Sequence, residues 1–145
     1  MSRRVLASLF CAALAAAAVV VAAERSGGGE AQRAAGPVCA SPRHPIARPG
    51  AVPENLLPPG TALTSSTQVG PGRTLVVGVI PREFRRAVEF YVTALPAAGY
   101  VNGKGDAEMD EAEAAFAGKS LTGKWKVNAI PSCLDAAALA LLVIR

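Results

Sequence analysis

The chain has 145 residues, a formal net charge of +4 and a single histidine. Its charges mix both signs, and no stripe of Lys and Arg interleaves with aromatic residues, which argues against a nucleic-acid partner. Two of the basic residues, Arg3 and Arg4, lie at the start of the chain. Their removal with a leader would lower the net charge to +2, with 13 basic against 11 acidic residues.

The N-terminal 23 residues have the layout of a secretory signal. Arg3 and Arg4 precede an uncharged apolar run over residues 5–23, which ends in the small residues Ala22 and Ala23. This pattern predicts cleavage after Ala23. A run of this length also falls within the roughly 17–25 residues that can span a bilayer, so residues 5–23 as an uncleaved anchor is the alternative. Either way, we expect the rest of the chain to be extracytoplasmic, secreted or held at the cell envelope.

Export changes the interpretation of the cysteines. Cys11 belongs to the apolar run, which leaves Cys39 and Cys133 as a pair in an oxidising compartment. We expect a disulfide bond between them, worth about 4–5 kcal/mol in the chain-entropy model, with two free thiols as the alternative. Cys39 and His44 lack further ligands at useful spacing, so we expect no metal site.

Residues 24–59 are rich in glycine and proline. Three consecutive glycines, residues 27–29, are followed by seven prolines between Pro37 and Pro59. Such a stretch forms neither a helix nor an interior strand and has little to bury. The composition predicts a disordered tether that spaces a domain from a membrane or a wall, and a folded domain over residues 60–145.

The domain begins with a predicted β-hairpin. Residues 62–69 form a first strand whose polar centre, residues 65–67, is typical of a sheet edge. A Gly-Pro-Gly turn at residues 70–72 leads to a β-branched run over residues 74–80.

An amphipathic helix is predicted next, with Pro81 at its start and Gly99 as its stop. Its apolar residues recur at helical spacing and should pack on a sheet. They are Phe84, Ala87, Val88, Tyr91 and Leu95.

Three more strands complete the prediction. Residues 121–129 alternate apolar and polar side chains, and the turn at Gly118 and Lys119 pairs them with residues 112–116. The Ala and Glu content of residues 106–117 also suits a helix, which is the alternative for this stretch. Residues 139–144 form an apolar run typical of a central strand that is buried on both faces. The sum is an α+β domain in two layers, one main amphipathic helix on a mostly antiparallel sheet, in the order β-β-α-β-β-β.

An acidic cluster is the first candidate for chemistry. Its members are Asp106, Glu108, Asp110, Glu111 and Glu113. The spacing of the first three resembles a calcium loop, but Glu111 stands where that loop needs glycine and Ala117 where it needs glutamate. We therefore expect a solvated acidic edge with no metal and no cofactor.

Catalytic motifs are not found. His44 lies in the predicted tether, away from a rigid scaffold, and no Gly-x-Ser-x-Gly sequence is present. The prediction is that the protein is not an enzyme. A hydrolase that uses the acidic cluster is the third hypothesis.

Two aromatic residues and two lysines are candidates for binding. Tyr91 and Trp125 could line an apolar pocket between helix and sheet, and their spacings suit the core equally well. Lys124 and Lys126 share the polar face of one strand, where they could meet an anionic partner or simply keep the strand soluble.

Three segments carry a resemblance. Three stretches resemble small exported proteins of unknown function from actinobacteria-like, high-GC bacteria: residues 57–61 (LPPGT), residues 89–91 (EFY) running to residues 95–100 (LPAAGY), and residues 130–133 (IPSC). The resemblance covers roughly residues 57–145. It implies export and a single α+β domain, and it transfers no catalytic residue.

The leading hypothesis is a non-enzymatic envelope protein whose small domain binds another, unidentified envelope component. Membrane contact would occur only through the N-terminal segment, if uncleaved. The second hypothesis is a carrier or sensor of a small apolar ligand held near Tyr91 and Trp125.

Overall fold

The computed structural model describes residues 40–145. The predicted signal or anchor at residues 1–23, the glycine-rich part of the predicted tether and Cys39 lie outside the described residues. The described part contains one α-helix, a short 3-10 helix and six strands. The strands are β1 (Ala62–Gly70), β2 (Arg73–Ile80), β3 (Val101–Ala107), β4 (Glu111–Gly118), β5 (Leu121–Ala129) and β6 (Ala137–Ile144), and the helix is α1 (Phe84–Ala97).

One helix packs on a six-stranded antiparallel sheet, which confirms the predicted α+β class. The order across the sheet is β1-β2-β6-β5-β4-β3. The predicted strands and helix occur in the predicted order, and one further strand, β3, follows the helix. The polar strand β1 lies at an edge, as expected.

The helix ends as predicted but begins later. The Arg82 amide donates to the Ile80 carbonyl at 2.8 Å, and this tight turn keeps Pro81 outside the helix, which starts at Phe84. Gly99 adopts φ +87°, and the Tyr100 amide donates to the Leu95 carbonyl at 3.1 Å. This is a Schellman stop, for which the left-handed conformation favours glycine.

The β4–β5 hairpin is confirmed. Lys119 and Ser120 both have positive φ values, 50° and 65°, as a two-residue type I′ connection requires. Phe116 lies opposite Gly123 and fills the space above it, since a Cβ at position 123 would come within 2.6 Å of the Phe116 ring. Side chains of β5 alternate between the two faces of the sheet, and Trp125 and Val127 are buried on the face toward the helix.

Strand β3 is absent from the prediction because its sequence does not alternate. It contains Gly103 and Gly105, and the pairing with β4 is irregular between Asn102 and Gly105. Its side chains are almost all exposed, so pairing with β4, and not a buried face, holds it in the sheet.

Strand β6 is central, between β2 and β5, but is not buried on both faces. Alternate residues are buried toward the helix: Ala137, Leu139, Leu141 and Val143. The residues between them are only half-buried. The prediction of burial on both faces is wrong because no element of the described chain covers the second face.

The folded domain begins earlier than the predicted boundary at residue 60. The Ile46 amide donates to the Leu63 carbonyl at 2.8 Å, and Val52 and Leu56 are fully buried in the main core. Prolines prevent regular ladders, but they do not prevent the apolar side chains between them from packing. Residues 45–59, called here the proline-rich segment, therefore belong to the domain and not to a tether.

Candidate binding groove

The layer that covers the sheet has two parts on the same face. Helix α1 packs on β5 and β3, and the proline-rich segment lies beside it. The Tyr91 hydroxyl joins the two parts by donating to the Leu56 carbonyl at 3.2 Å.

The helical part contains the two aromatic residues that the sequence singled out, and a shallower depression of about 360 Å³ opens beside Trp125, between Val88, Val92 and Asn102. Tyr91 and Trp125 stack with their ring centroids 4.8 Å apart and their planes 16° apart. Direct stacking leaves no space for a ligand between these two rings. Tyr91 is fully buried and Trp125 is 3% exposed, so the structure brings the pair together as part of the core.

The polar atoms of this stack are all engaged. The Trp125 indole N–H donates to Asn102 Oδ1 at 3.2 Å, and Asn102 Nδ2 donates to the Tyr91 carbonyl at 2.8 Å. Burial raises the pKa of Tyr91 well above its usual range, so its hydroxyl remains a neutral donor. Hydrogen bonds and ring contact together hold the stacked pair in the core.

The second part is different, because a groove of about 750 Å³ opens between α1 and the proline-rich segment. Phe90, Ala94 and Ala98 form the helical wall, at intervals of four residues. Ile46 and Pro58 are among the residues of the opposite wall. The size and the largely apolar lining fall in the range of small-molecule and peptide sites.

Local sequence explains the shape of the groove. Ala94 and Ala98 are too small to fill the space beside Phe90. On the other wall, Thr61 Oγ1 donates to the Pro58 carbonyl at 2.6 Å, and the Arg48 guanidinium donates to the Val52 carbonyl at 2.5 Å. These bonds and the fixed φ of proline hold the wall in place, so little ordering is needed on binding.

Few charged side chains line this groove. Arg48 and Glu54 are the charged side chains among its described lining residues. The remaining described lining is apolar or uncharged. The arrangement suits binding of a largely apolar group with one or two polar contacts.

Sequence reasoning missed the groove because its walls lie some 30 to 50 residues apart. One signal could have indicated it. Phe90, Ala94 and Ala98 form a second apolar row beside the main stripe of the helix, wider than burial against a sheet alone requires.

The acidic cluster lies on β3, β4 and the connection between them. Glu111 pairs with Lys126 at 2.7 Å, and Glu113 pairs with Lys124 at 2.5 Å. The hydrogen bond from Lys126, and then that from Asn128, lowers the pKa of Glu111. Across residues 40–145, no group of three or more His, Cys, Asp or Glu side chains is arranged to hold a metal ion.

The remaining predicted positions lie away from the groove. His44 is exposed and is not among the described lining residues. Cys133 is buried in the connection between β5 and β6, whereas Cys39 lies outside the described residues. The pairing of these two cysteines stays a prediction.

Fold and groove together define a two-layer α+β domain with a concave, largely apolar surface between α1 and the proline-rich segment. In the part of the chain that the structure describes, no helix has the length and apolar character to cross a membrane. No family model, curated protein or solved structure matches the chain.

Proposed function

We propose that this chain is an exported, non-enzymatic envelope protein whose folded domain binds another envelope component. The groove between α1 and the proline-rich segment carries the binding part of the proposal. The signal-like N-terminus and the resemblance to small exported proteins support the export part.

Export has its own test. The chain is secreted after cleavage behind Ala23, or is anchored by residues 5–23, and in both forms Cys39 and Cys133 form a disulfide. Intact mass of the protein from culture medium and from membranes, before and after reduction, distinguishes these forms. A species that starts at Glu24 and gains two hydrogens on reduction supports secretion with a disulfide. Recovery only from cytosol would contradict export.

The groove favours a ligand with an extended apolar portion. Its lining offers apolar side chains along its length and only Arg48 and Glu54 as charged contacts. Burial of an apolar group there yields about 25 cal/mol per Å² removed from water. Lipid chains and apolar peptide stretches of envelope proteins both have this chemistry.

A matched pair of variants tests the groove. Ala94→Trp places an indole in the groove, whereas Ala97→Trp places the same side chain at an exposed position that is not among the lining residues. The readout is co-sedimentation of the exported chain with isolated cell-wall sacculi and with phospholipid vesicles. We expect binding to at least one of them, lost in Ala94→Trp and kept in Ala97→Trp.

Equal behaviour of the two variants would contradict the assignment of the groove. Failure of the unaltered protein to bind either material would contradict a binding role toward wall or lipid. Near-ultraviolet circular dichroism of each variant establishes that loss of binding is not loss of fold.

A small apolar-ligand carrier is the second candidate, and the same groove favours it over a site at Tyr91 and Trp125. A fluorescent fatty acid is the discriminating probe. Saturable binding at one site per chain that Ala94→Trp abolishes, without co-sedimentation, would favour the carrier over the envelope-binding protein.

A further inference from the structure

A second depression, of about 410 Å³, lies at the end of the sheet that carries the turn between β4 and β5. It is called here the cationic depression. Its described lining includes Lys119 and Ser120 of that turn, Arg145, and Asn55 of the proline-rich segment. Two of these side chains are cations, and no Asp or Glu is among the described lining residues. The depression therefore presents positive charge that no acidic side chain of its described wall balances.

The groove and the cationic depression meet at Asn55, which lines both. The helical wall of the groove extends from Phe90 to Ala98, over which an α-helix rises about 12 Å. A Cβ at the next residue, Gly99, would lie 3.0 Å from the Lys119 side chain. The wall of the groove therefore ends beside one of the two cations, and one extended molecule can contact both the apolar lining and the positive charge.

Contacts with the protein hold both cations at this depression. The Lys119 ammonium lies over the Tyr100 ring, 5.5 Å from the ring centroid. The Arg145 guanidinium donates to the Gly50 carbonyl at 3.2 Å, and the Arg145 amide donates to the Gly72 carbonyl at 3.0 Å. A guanidinium has several further N–H donors that can bind an acidic group. Cations that are already held in place lower the ordering cost of binding.

The opposite end of the groove has balanced charge. A depression there shares Phe90 and Ala94 with the groove. Its charged lining residues are two arginines and two glutamates: Arg82, Arg86, Glu83 and Glu89. Arg86 and Glu89 form an ion pair at 2.8 Å. The two ends therefore differ in charge, and an anionic group is favoured at the cationic depression.

We propose that the groove binds an acidic lipid, with its apolar chain along the helical wall and its anionic head group at Lys119 and Arg145. The inference rests on the proposed function, because it uses the same groove and names the chemical class of its ligand. The apolar lining removes the chain from water, and charge-assisted hydrogen bonds to the two cations hold the head group. A neutral lipid of the same chain length gains only the apolar burial, so the arrangement favours the acid.

Isothermal titration calorimetry with three probes of equal chain length tests the head-group assignment. The probes are decanoate, decyl phosphate and decanol, which differ only in the group at the end of the chain. We expect one site per chain, and at least one of the two acids should bind about tenfold more tightly than decanol. The acid that binds more tightly identifies the head group as a carboxylate or a phosphate.

Two double variants that remove the same charge locate the head group. Lys119→Gln with Arg145→Gln removes both cations of the cationic depression, and should weaken binding of the acid about tenfold without changing that of decanol. Arg82→Gln with Arg86→Gln removes two cations at the opposite end and should leave the affinity for every probe unchanged. Ala94→Trp should abolish binding of the acids and of decanol alike.

The outcomes separate this inference from the proposed function. Equal affinity for the acids and for decanol, abolished in Ala94→Trp, overturns the head-group assignment and leaves the groove in place. A greater loss in the Arg82 and Arg86 double variant than in the Lys119 and Arg145 double variant also overturns it. Binding of none of the probes overturns the acidic lipid, whereas sedimentation with sacculi and vesicles decides the proposed function separately.

Amide chemical shifts of the unaltered chain give a second readout that does not depend on how a substitution affects folding. Decanoate should shift the amides of Ala94 and Ala98 in the groove and those of Lys119 and Ser120 in the cationic depression. Decanol should shift those of the groove alone. Equal shifts at residues 119 and 120 with both probes, or none with decanoate, would overturn the proposal.

Discussion

The helix and the proline-rich segment cover the same face of one sheet, but they cover it differently. Helix α1 brings Tyr91 onto Trp125 in a stacked pair whose polar atoms are all hydrogen-bonded. The proline-rich segment buries Val52 and Leu56 but leaves the groove open between itself and the helix. A regular element with a periodic stripe buries its aromatic residues in the core, whereas an irregular segment anchors at a few points and leaves the larger concave surface beside it.

The largest effect is expected in the helical half. Tyr91→Ala removes a fully buried ring, its stacking on Trp125 and the donor to the Leu56 carbonyl, and should lower the free energy of unfolding by about 3–5 kcal/mol. Tyr91→Phe keeps the ring and should cost about 1 kcal/mol. Urea denaturation followed by the fluorescence of Trp125 measures both. Equal losses of unfolding free energy in Tyr91→Ala and Tyr91→Phe would mean that the Tyr91 ring does not stabilise this part of the fold.

The second effect lies in the proline-rich half. Leu56→Ala empties a fully buried site and should lower the free energy of unfolding by about 2–4 kcal/mol. Leu134→Ala, at a position that is 79% exposed, should change it by less than about 0.5 kcal/mol. If the two variants were equally stable, the segment would be a tether and the difference between the two halves would disappear.

A smaller loss of unfolding free energy is expected at Gly99, just after the C-terminus of α1. Gly99 holds φ +87°, and a Cβ there would lie 3.0 Å from the Lys119 side chain. Gly99→Ala should therefore cost about 1 kcal/mol, measured by the same denaturation. Gly50→Ala, where a Cβ would meet nothing within 4 Å, is the control and should be close to neutral. A neutral Gly99→Ala would argue against the Schellman stop.

The smallest effect concerns the exposed ion pairs on the opposite face. Because Lys126 lowers the pKa of Glu111, this pair stabilises the fold above the ordinary glutamate pKa, about 4.3, and the contribution is lost as pH falls through the lowered value. The difference in urea midpoint between the unaltered chain and Glu111→Gln should therefore be small at neutral pH and vanish in acid. Glu108→Gln is the comparison. If the difference in urea midpoint between the unaltered chain and Glu111→Gln grew as pH fell, the stabilising effect of the Lys126 ion pair on the folded state would be contradicted.

Sequence patterns predicted the elements that have a periodic buried face. The apolar stripe that includes Tyr91 identifies the buried face of α1, and the alternation around Trp125 identifies the buried face of β5. The structure confirms both elements and both buried faces. Strand β3 has no such signal, because its glycines and exposed side chains depend on pairing with β4.

The groove and the start of the domain could not be predicted for a related reason. Proline positions indicate where helices and interior strands are excluded. They do not indicate whether Val52 and Leu56 pack against residues elsewhere in the chain. The groove forms between Pro58 and Ala94, and no local pattern joins residues so far apart. Such contacts between distant segments form only when both segments pack on the assembled sheet, so a local sequence pattern does not predict them.

Amide hydrogen exchange across the proline-rich segment tests the central claim most directly. The amides of Ile46, Val52 and Leu56 donate hydrogen bonds to Leu63, Pro49 and Pro53. The account predicts that Ile46 and Val52, tied to the sheet edge and the core, exchange far more slowly than in an unfolded chain. Exchange at unfolded-chain rates throughout residues 45–59 would contradict it, because the segment would then be a tether and the groove would have no second wall.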